Sequence, residues 1–286
     1  MRGKMGRGDP VLISVIIPTY NRAQWIAEAV ASVIHQTVPP AEVLVVDDGS
    51  TDETRTVVQE LVRHAGLPIR YIAQANRGAA SARNTGILTA RGDYLCFLDS
   101  DDRFAPEKIG RQAVALRDSG CLISHTREQW FRRGRHLNQK KKHRPPDGDI
   151  FAASLGMCVV GMSTVMAGRE VFDRYGLFDE SLPCCEDYDF WLRVGCRERF
   201  HLLDLPLTIK NGGRPDQLSV RYRQGMDKFR IRSLVNLLES GTLSTEQSRL
   251  AARELERKCD LYGRGCIKHG RSEEGLFYQQ LPARFR

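Results

Sequence analysis

The stretch YLCFLDSDDRFAP, residues 94–106, drives an apolar run straight into three carboxylates, Asp99, Asp101 and Asp102. The run reads as a buried strand, and Pro106 stands near the start of a helix behind it. Crowded carboxylates repel one another, so a strand ending on three of them calls for something positive in their midst.

The same pattern recurs on both sides. VLISVIIP (11–18) is a β-branched strand closed by Pro18, and AQWIAEAVASVIHQ (23–36) carries a helical apolar stripe. EVLVVDDGS (42–50) is a second strand running into an acidic turn, followed by the helix DETRTVVQELVRHAG (52–66) and the strand IRYIA (69–73). GAASARNTGILTA (78–90) is a small-residue helix suited to close packing on a sheet. PEKIGRQAVALRDSG (106–120) and CLISH (121–125) add a fourth helix and a fifth strand. Nearly continuous apolar strands alternating with helices specify an α/β fold, with a mostly parallel central sheet covered on both faces. Ligands of such sheets gather beyond the carboxyl ends of the strands. Residues 18–22, 47–52 and 99–102 all fall there, so three polar clusters can converge on one crevice.

Past residue 126 the pattern changes. FRRGRHLNQKKKHRPPDGD (131–149) is expected to be a loop. Its basic run (Arg132, Arg133, Arg135, Lys140, Lys141, Lys142 and Arg144) suits an anionic acceptor or membrane, or simply solvent. GREVFDRYGLFDE (168–180) reads as a helix and turn, EDYDFWLRVGCRER (186–199) as a helix opened by acids, and RFHLLDLPLTI (199–209) as a strand. From residue 222 two long charged helical segments are expected to form a hairpin docked on the body. The expected organisation is a flexible basic arm (1–10), a catalytic domain (11–221) and a helical C-terminal extension (222–286). The catalytic domain divides into a nucleotide-binding part (11–125) and an acceptor part (126–221).

The chain has 286 residues and a formal net charge of +8, which favours anionic partners: nucleotide phosphates, lipid headgroups or nucleic acid. Nucleic acid is disfavoured, because only Trp130 and Phe131 supply aromatics beside the basic run. The eight cysteines include no tight CxxC pair and read as thiols of a reducing compartment, hence a cytoplasmic protein, peripheral at most at the inner face of an anionic membrane. Cys259, Cys266 and His269 hint at zinc, although packed helix cysteines are the favoured reading. No apolar run reaches membrane-spanning length, the basic start lacks a signal-peptide core, and nothing fixes an oligomeric state.

The acidic clusters carry the chemistry. Asp99 and Asp101, two apart on a turn, can face one Mg²⁺ or Mn²⁺, an ion that also takes oxygens from substrate phosphates. Asp102 suits the capping of the following helix. Tyr20 offers a face to a base, Asp48 an acceptor for a base N–H, and Arg83 a partner for phosphate or for the acidic turn. Ordinary packing and a helix-face ion pair are the competing readings of Tyr20 and Arg83. Glu186 or Asp187 can serve as a general base, whereas capping alone would also place acids there. The absence of GxxxxGK[ST] excludes a P-loop ATPase, and the absence of GxGxxG after the first strand weakens a dinucleotide oxidoreductase.

Taken together, VIIPTYNR (15–22), VVDDGSTD (45–52), NRGAASARNTG (76–86), YLCFLDSDD (94–102) and CCEDYDFWLR (184–193) resemble the family 2 glycosyltransferases of the GT-A nucleotide-diphospho-sugar transferase fold. The resemblance covers roughly the first 195 residues. It implies a nucleotide-diphosphate sugar donor, with a UDP-sugar favoured, and Mg²⁺ or Mn²⁺. It implies that Pro18, Tyr20, Arg22 and Asp48 lie on the nucleotide side and that Arg83 lies near the nucleotide. It makes Asp101 the direct metal ligand, with Asp99 nearer the ribose or a water, and Asp187 the catalytic base with Glu186 beside it. The implied reaction is an inverting displacement by an acceptor hydroxyl of a glycan, lipid-linked or small-molecule acceptor, in surface polysaccharide or glycan biosynthesis. Many relatives carry a histidine after the last core strand. Here TIKNGGRPDQLS (208–219) has none, and Lys210 or Arg214 is left to face the diphosphate, which bears on metal dependence. The alternatives are a sugar nucleotidyltransferase and a non-catalytic protein binding an anionic surface or nucleic acid.

Overall fold

The computed structural model describes residues 11–132, 134–140, 143–214 and 217–285. The expected basic arm, and Arg133, Lys141 and Lys142 of the basic run, lie outside them. Four strands, β1 (Ile13–Thr19), β2 (Glu42–Asp47), β3 (Ile69–Ala73) and β4 (Tyr94–Phe97), pair in parallel in the order β3-β2-β1-β4. They are linked by α1 (Ile26–Ile34), α2 (Thr54–His64) and α3 (Ala79–Thr89). All seven residues of β1 are buried, because alternate side chains enter cores on opposite faces. Ile16 packs into one, with Leu44, Val46 and Phe97; Val15 and Ile17 pack into the other, with Val30, Val33 and Val45. Each such aliphatic, fully removed from water, contributes about 1.5–3 kcal/mol.

Beyond β4 the sheet becomes mixed. After β5 (Arg103–Phe104) and α4 (Lys108–Ser119) come β6 (Ile123–Arg132) and β7 (Arg135–Leu137), then α5 (Phe151–Gly156), β8 (Met166–Gly168), α6 (Arg169–Tyr175), α7 (Glu186–Gly195) and β9 (Phe200–Gly212). β8 is antiparallel to both β4 and β6, and β9 runs parallel to β6 and antiparallel to β5. The loop expected over 131–149 needs correcting at its start. β6 continues to Arg132 and turns back through β7, pairing Trp130 with Leu137 and Phe131 with His136. The continuation follows from β9, which keeps pace with β6 as far as Gly212 and supplies its backbone partners.

The C-terminal extension is helical, as expected, but contains more than a hairpin. α8 (Leu218–Arg221), α9 (Met226–Glu239) and α10 (Thr245–Lys268) are followed by α11 (Ser272–Gln280). α10 begins with a capping box: the Ser244 hydroxyl accepts from Gln247 N, and the Gln247 side chain accepts from Ser244 N. Leu234, Leu255 and Cys259 share one apolar cluster with Tyr188 and Leu192 of α7, so the extension buttresses the helix that bears Glu186 and Asp187. Lys258 is sunk into this junction and donates to Gly156 O at 3.0 Å. Cys259 and Cys266 are buried packing thiols, and among the described residues no group of three or more His, Cys, Asp or Glu is arranged to hold a metal. Among the described residues no helix is long and apolar enough to cross a membrane.

Candidate functional site

The strand order places a topological switch beside β1: the chain runs out to β2 and β3, then returns to the other side of β1 as β4. Tyr20, Asp48 and Asp99 follow the ends of β1, β2 and β4 in turn. With strands about 4.8 Å apart, the ends of β2 and β4 lie about 10 Å apart across this edge. The loops here are tied to one another. Asn21 adopts a left-handed φ of 51°, which asparagine tolerates; its N–H donates to Ser50 Oγ and its Oδ1 accepts from Thr51 N, both at 2.8 Å. Arg22 N donates to Thr54 Oγ1 at 2.8 Å.

On the β2 side, Pro18 lies in β1 in register with Val46, and Tyr20 is 44% exposed at the rim. Asp48 is buried and holds the 74–78 turn, accepting from Gln74 Nε2 (2.8 Å), Arg77 N (2.9 Å) and Gly78 N (2.7 Å). A carboxylate has about four lone-pair positions, so one remains for a ligand. Thr19 Oγ1 is buried at the end of β1 with no hydrogen-bond partner, a polar atom that the sequence did not single out.

On the β4 side the carboxylates converge. Buried Arg83, on α3, donates through Nη2 to Asp99 Oδ1 (2.9 Å) and through Nη1 to Glu186 Oε1. One guanidinium therefore joins the acidic turn to the start of α7. Asp187 adjoins the same charges: it contributes to raising Arg83 and Lys210, and its Oδ1 accepts from Tyr188 N at 2.7 Å. Lys210 of β9 lies 3.9 Å from Asp102 and 3.6 Å from Glu128. Arg214 pairs with Asp101. Ser163 stitches the turn together: its hydroxyl accepts from Asp99 N (3.0 Å) and donates to Asp102 Oδ2 (2.7 Å). Cys185, ahead of Glu186, has φ 66°; it and Asn21 are the non-glycine residues of positive φ among those described, and both flank the site.

The electrostatics follow from burial and these partners. Burial alone would raise Asp99, but Arg83 and then Lys210 outweigh it and hold Asp99 below the usual carboxylate range. Burial pushes Asp102 up to about 7, against the pull of Lys210 and with the help of Asp99. Burial also raises Glu186, despite Arg83. Glu128 first, then Asp102, Asp99 and Asp187, raise Lys210 despite its burial.

The site thus brings together Arg83, Asp99, Asp101, Glu186 and Asp187, with Lys210 and Arg214. Pro18, Tyr20 and Asp48 line the neighbouring strand ends and make no direct contact with that network. Sequence reasoning missed Ser163 and Glu128. No motif marks either residue: Ser163 gains its role from the turn that enters β8 beside β4, and Glu128 from the pairing of β6 with β9, which brings it to Lys210. A cavity of about 770 Å³ beside α4, lined by Val38, Arg111, Val114 and Leu203, holds none of these residues.

Carboxylate oxygens are the donors a hard divalent cation takes, and Asp99 and Asp101 supply them, each already paired with an arginine. Asp99, Asp101, Asp102, Glu128, Glu186 and Asp187 together outnumber Arg22, Arg83, Lys210 and Arg214. Such an excess of negative charge would repel a diphosphate unless further positive charge joined it.

A parallel β/α half with its switch at β1, joined to a mixed half and fronted by an acidic turn, defines a nucleotide-sugar transferase architecture. Residues 14–176 match the model of glycosyl transferase family 2, and the chain belongs to that family. An uncharacterized glycosyltransferase of Rickettsia felis is 35% identical over 202 residues, 68% of this chain and 32% of that relative, so the chain spans about a third of its length. Among solved structures, S. aureus TarS 1-349 in complex with UDP-GlcNAc superimposes with a TM-score of 0.74 at 22% identity, covering 95% of this chain and 79% of TarS 1-349. The mannosyltransferase PcManGT from Pyrobaculum calidifontis, in complex with GDP-Man and Mn²⁺, gives 0.62 at 17% identity, covering 96% and 85%.

Proposed function

We propose that this chain transfers a sugar from a nucleoside-diphosphate donor, with a UDP-sugar expected, to an acceptor hydroxyl, with inversion. The observation carrying this reading is Arg83, which ties the acidic turn after β4 to Glu186 at the start of α7, within the field of Asp187. The likeness to proteins crystallised with UDP-GlcNAc and with GDP-Man and Mn²⁺ supports the class of donor.

The nucleoside would lie across the β2, β1 and β4 ends, its base against Tyr20 and the remaining lone pair of Asp48. Thr19 Oγ1 is a further polar atom on that side, and Arg22 lies close enough to Asp99 to lower it. Asp99 and Asp101 would hold Mg²⁺ or Mn²⁺, which when bound offsets the charge of the leaving diphosphate. Lys210, fixed among Asp102, Glu128 and Asp99, adds a permanent positive charge beside the acidic turn. Asp187 takes the proton of the acceptor hydroxyl as its oxygen attacks the anomeric carbon. Glu186 is already engaged by Arg83, which leaves Asp187 the better placed of the two. A single displacement inverts the anomeric centre. The acceptor is a glycan, a lipid-linked sugar or a small-molecule hydroxyl.

The test compares wild type with Asp187→Asn. Turnover of the best donor–acceptor pair should fall at least ~10²-fold, in the range for general-base removal. The donor dissociation constant should stay within about threefold, since the lost interaction belongs to the transition state. Undiminished turnover in Asp187→Asn would remove Asp187 from the base role, and a product retaining the donor's anomeric configuration would remove the single displacement.

A further inference from the structure

Asp101 has a prior occupant. The Arg214 guanidinium pairs with its carboxylate, and the seat is built rather than incidental. Arg214 is 13% and Asp101 16% exposed. The guanidinium carbon lies 5.0 Å from the centre of the Trp25 ring, and Nη1 donates to Asn211 O at 3.2 Å. Asn211 Nδ2 in turn faces Asp101 O at 3.4 Å, so the arginine and the acidic turn are clasped from both sides. Arg83 engages Asp99 in the same way, so both carboxylates of the expected cation pair are already neutralised by arginines. The two arginines differ in what holds them. Arg83 sits on a helix, buried between two carboxylates. Arg214 follows Gly212 and Gly213, and Gly213 has φ 86°, where a Cβ would also meet the Arg132 side chain. Just before Arg214 the backbone therefore takes a conformation that side-chain-bearing residues rarely adopt.

A divalent cation and a guanidinium on one carboxylate repel each other, so Arg214 on Oδ2 weakens the hold of Asp101 on a second positive charge. We propose that Arg214 and the divalent cation are alternative occupants of Asp101. Cation binding then releases Arg214 to the donor's diphosphate, whose oxygens its planar fork fits. In the donor-free protein Arg214 keeps Asp101 neutralised and the acidic turn folded. When cation and donor arrive together, the same residue changes partner from carboxylate to phosphate. The inference rests on the nucleotide-diphosphate reading above.

The experiment titrates the full chain with Mn²⁺ alone, following free Mn²⁺ by electron paramagnetic resonance, and then with UDP at saturating Mn²⁺ by calorimetry. Wild type, Arg214→Gln and Asp101→Asn are compared. Arg214→Gln should bind Mn²⁺ about tenfold tighter than wild type, because its internal competitor is gone. It should bind UDP about tenfold more weakly, because a phosphate partner is gone. Asp101→Asn should lose Mn²⁺ binding, and its unchanged circular dichroism would show that the loss is local. The opposite signs for one substitution are what a merely structural arginine would not produce. Equal or weaker Mn²⁺ binding by Arg214→Gln, with UDP still bound by wild type, overturns the exchange alone. No UDP binding by wild type with Mn²⁺ overturns the donor reading and the exchange together.

Discussion

Arg83 has little water to solvate it: its side chain is 7% exposed, and its charge is balanced by Asp99 and Glu186, 16 and 103 residues away in sequence. Removing one member of such a cluster strands the others in a low-dielectric setting. Arg83→Met is expected to destabilise the protein by about 3–5 kcal/mol in urea unfolding, and Arg83→Lys, which keeps a charge but not the two-armed geometry, by less. A loss under about 1 kcal/mol for Arg83→Met would mean that the carboxylates are solvated and the cluster is loose. Asp99, Asp101, Glu186 and Asp187 were legible in the sequence because each sits at the end or start of a strongly patterned element, and Arg83, inside α3, through the motif around it. Convergence of the strand ends, with Arg83 near the acidic turn, was expected; its second hold, on Glu186, was not, since it depends on α7 returning to the β4 edge. Asp48 was legible as a strand-end acid, but not its commitment to the 74–78 turn, because backbone acceptors and donors leave no trace in residue type.

The small-residue character of α3 has a direct structural cause. A Cβ on Gly86 would lie 2.4 Å from Ile16 Cγ2, so the helix rests on β1 at glycine distance. Gly86→Ala is expected to cost about 1–3 kcal/mol through overpacking, outweighing alanine's better helix propensity; a gain in melting temperature would contradict that packing. In β6, His125 is fully buried, its Nε2 set 2.9 Å from Pro146 O, and burial pushes its pKa from 6.5 down to about 4. The unfolded chain therefore binds the proton first on acidification. The stability associated with neutral His125 is complete above pH 6.5 and is lost as pH falls towards 4, about 3 kcal/mol at most. His125→Gln, neutral throughout, should lose less stability than wild type between pH 7 and 4.5 in thermal melts, and equal losses would refute the assignment. The parallel half of the sheet was readable because its central strands β1 and β2 are buried on both faces and almost wholly apolar. The β6–β7 hairpin was not, because its residues are half-exposed and charged, and their strand character comes from pairing with β9. β8 was equally hidden, three residues in an apolar segment with no period of its own.

Across the whole molecule, the extension and the sheet-bearing body share a core, since Tyr188 and Leu192 of α7 are buried against Leu234, Leu255 and Cys259. Ending the chain at residue 221 would expose that face and loosen the helix that presents Asp187. Such a truncation is expected to lose cooperative thermal unfolding and to bind an apolar dye, and a sharp transition at the wild-type temperature would make the extension dispensable. The two helical segments of the extension were visible in the sequence as long charged helical stretches, whereas their docking face was not, because no motif marks it. The account as a whole stands on the strand ends and the acidic turn forming one receptor for a nucleoside diphosphate. The most direct measurement is calorimetric titration of the full chain with UDP and GDP, and with their sugars, in the presence and absence of Mn²⁺. The account predicts saturable, one-to-one binding of at least one of these donors, strengthened by Mn²⁺ and abolished by Asp101→Asn together with Asp99→Asn. No heat from any nucleoside diphosphate or nucleotide sugar, with a folded protein in the cell, would contradict it.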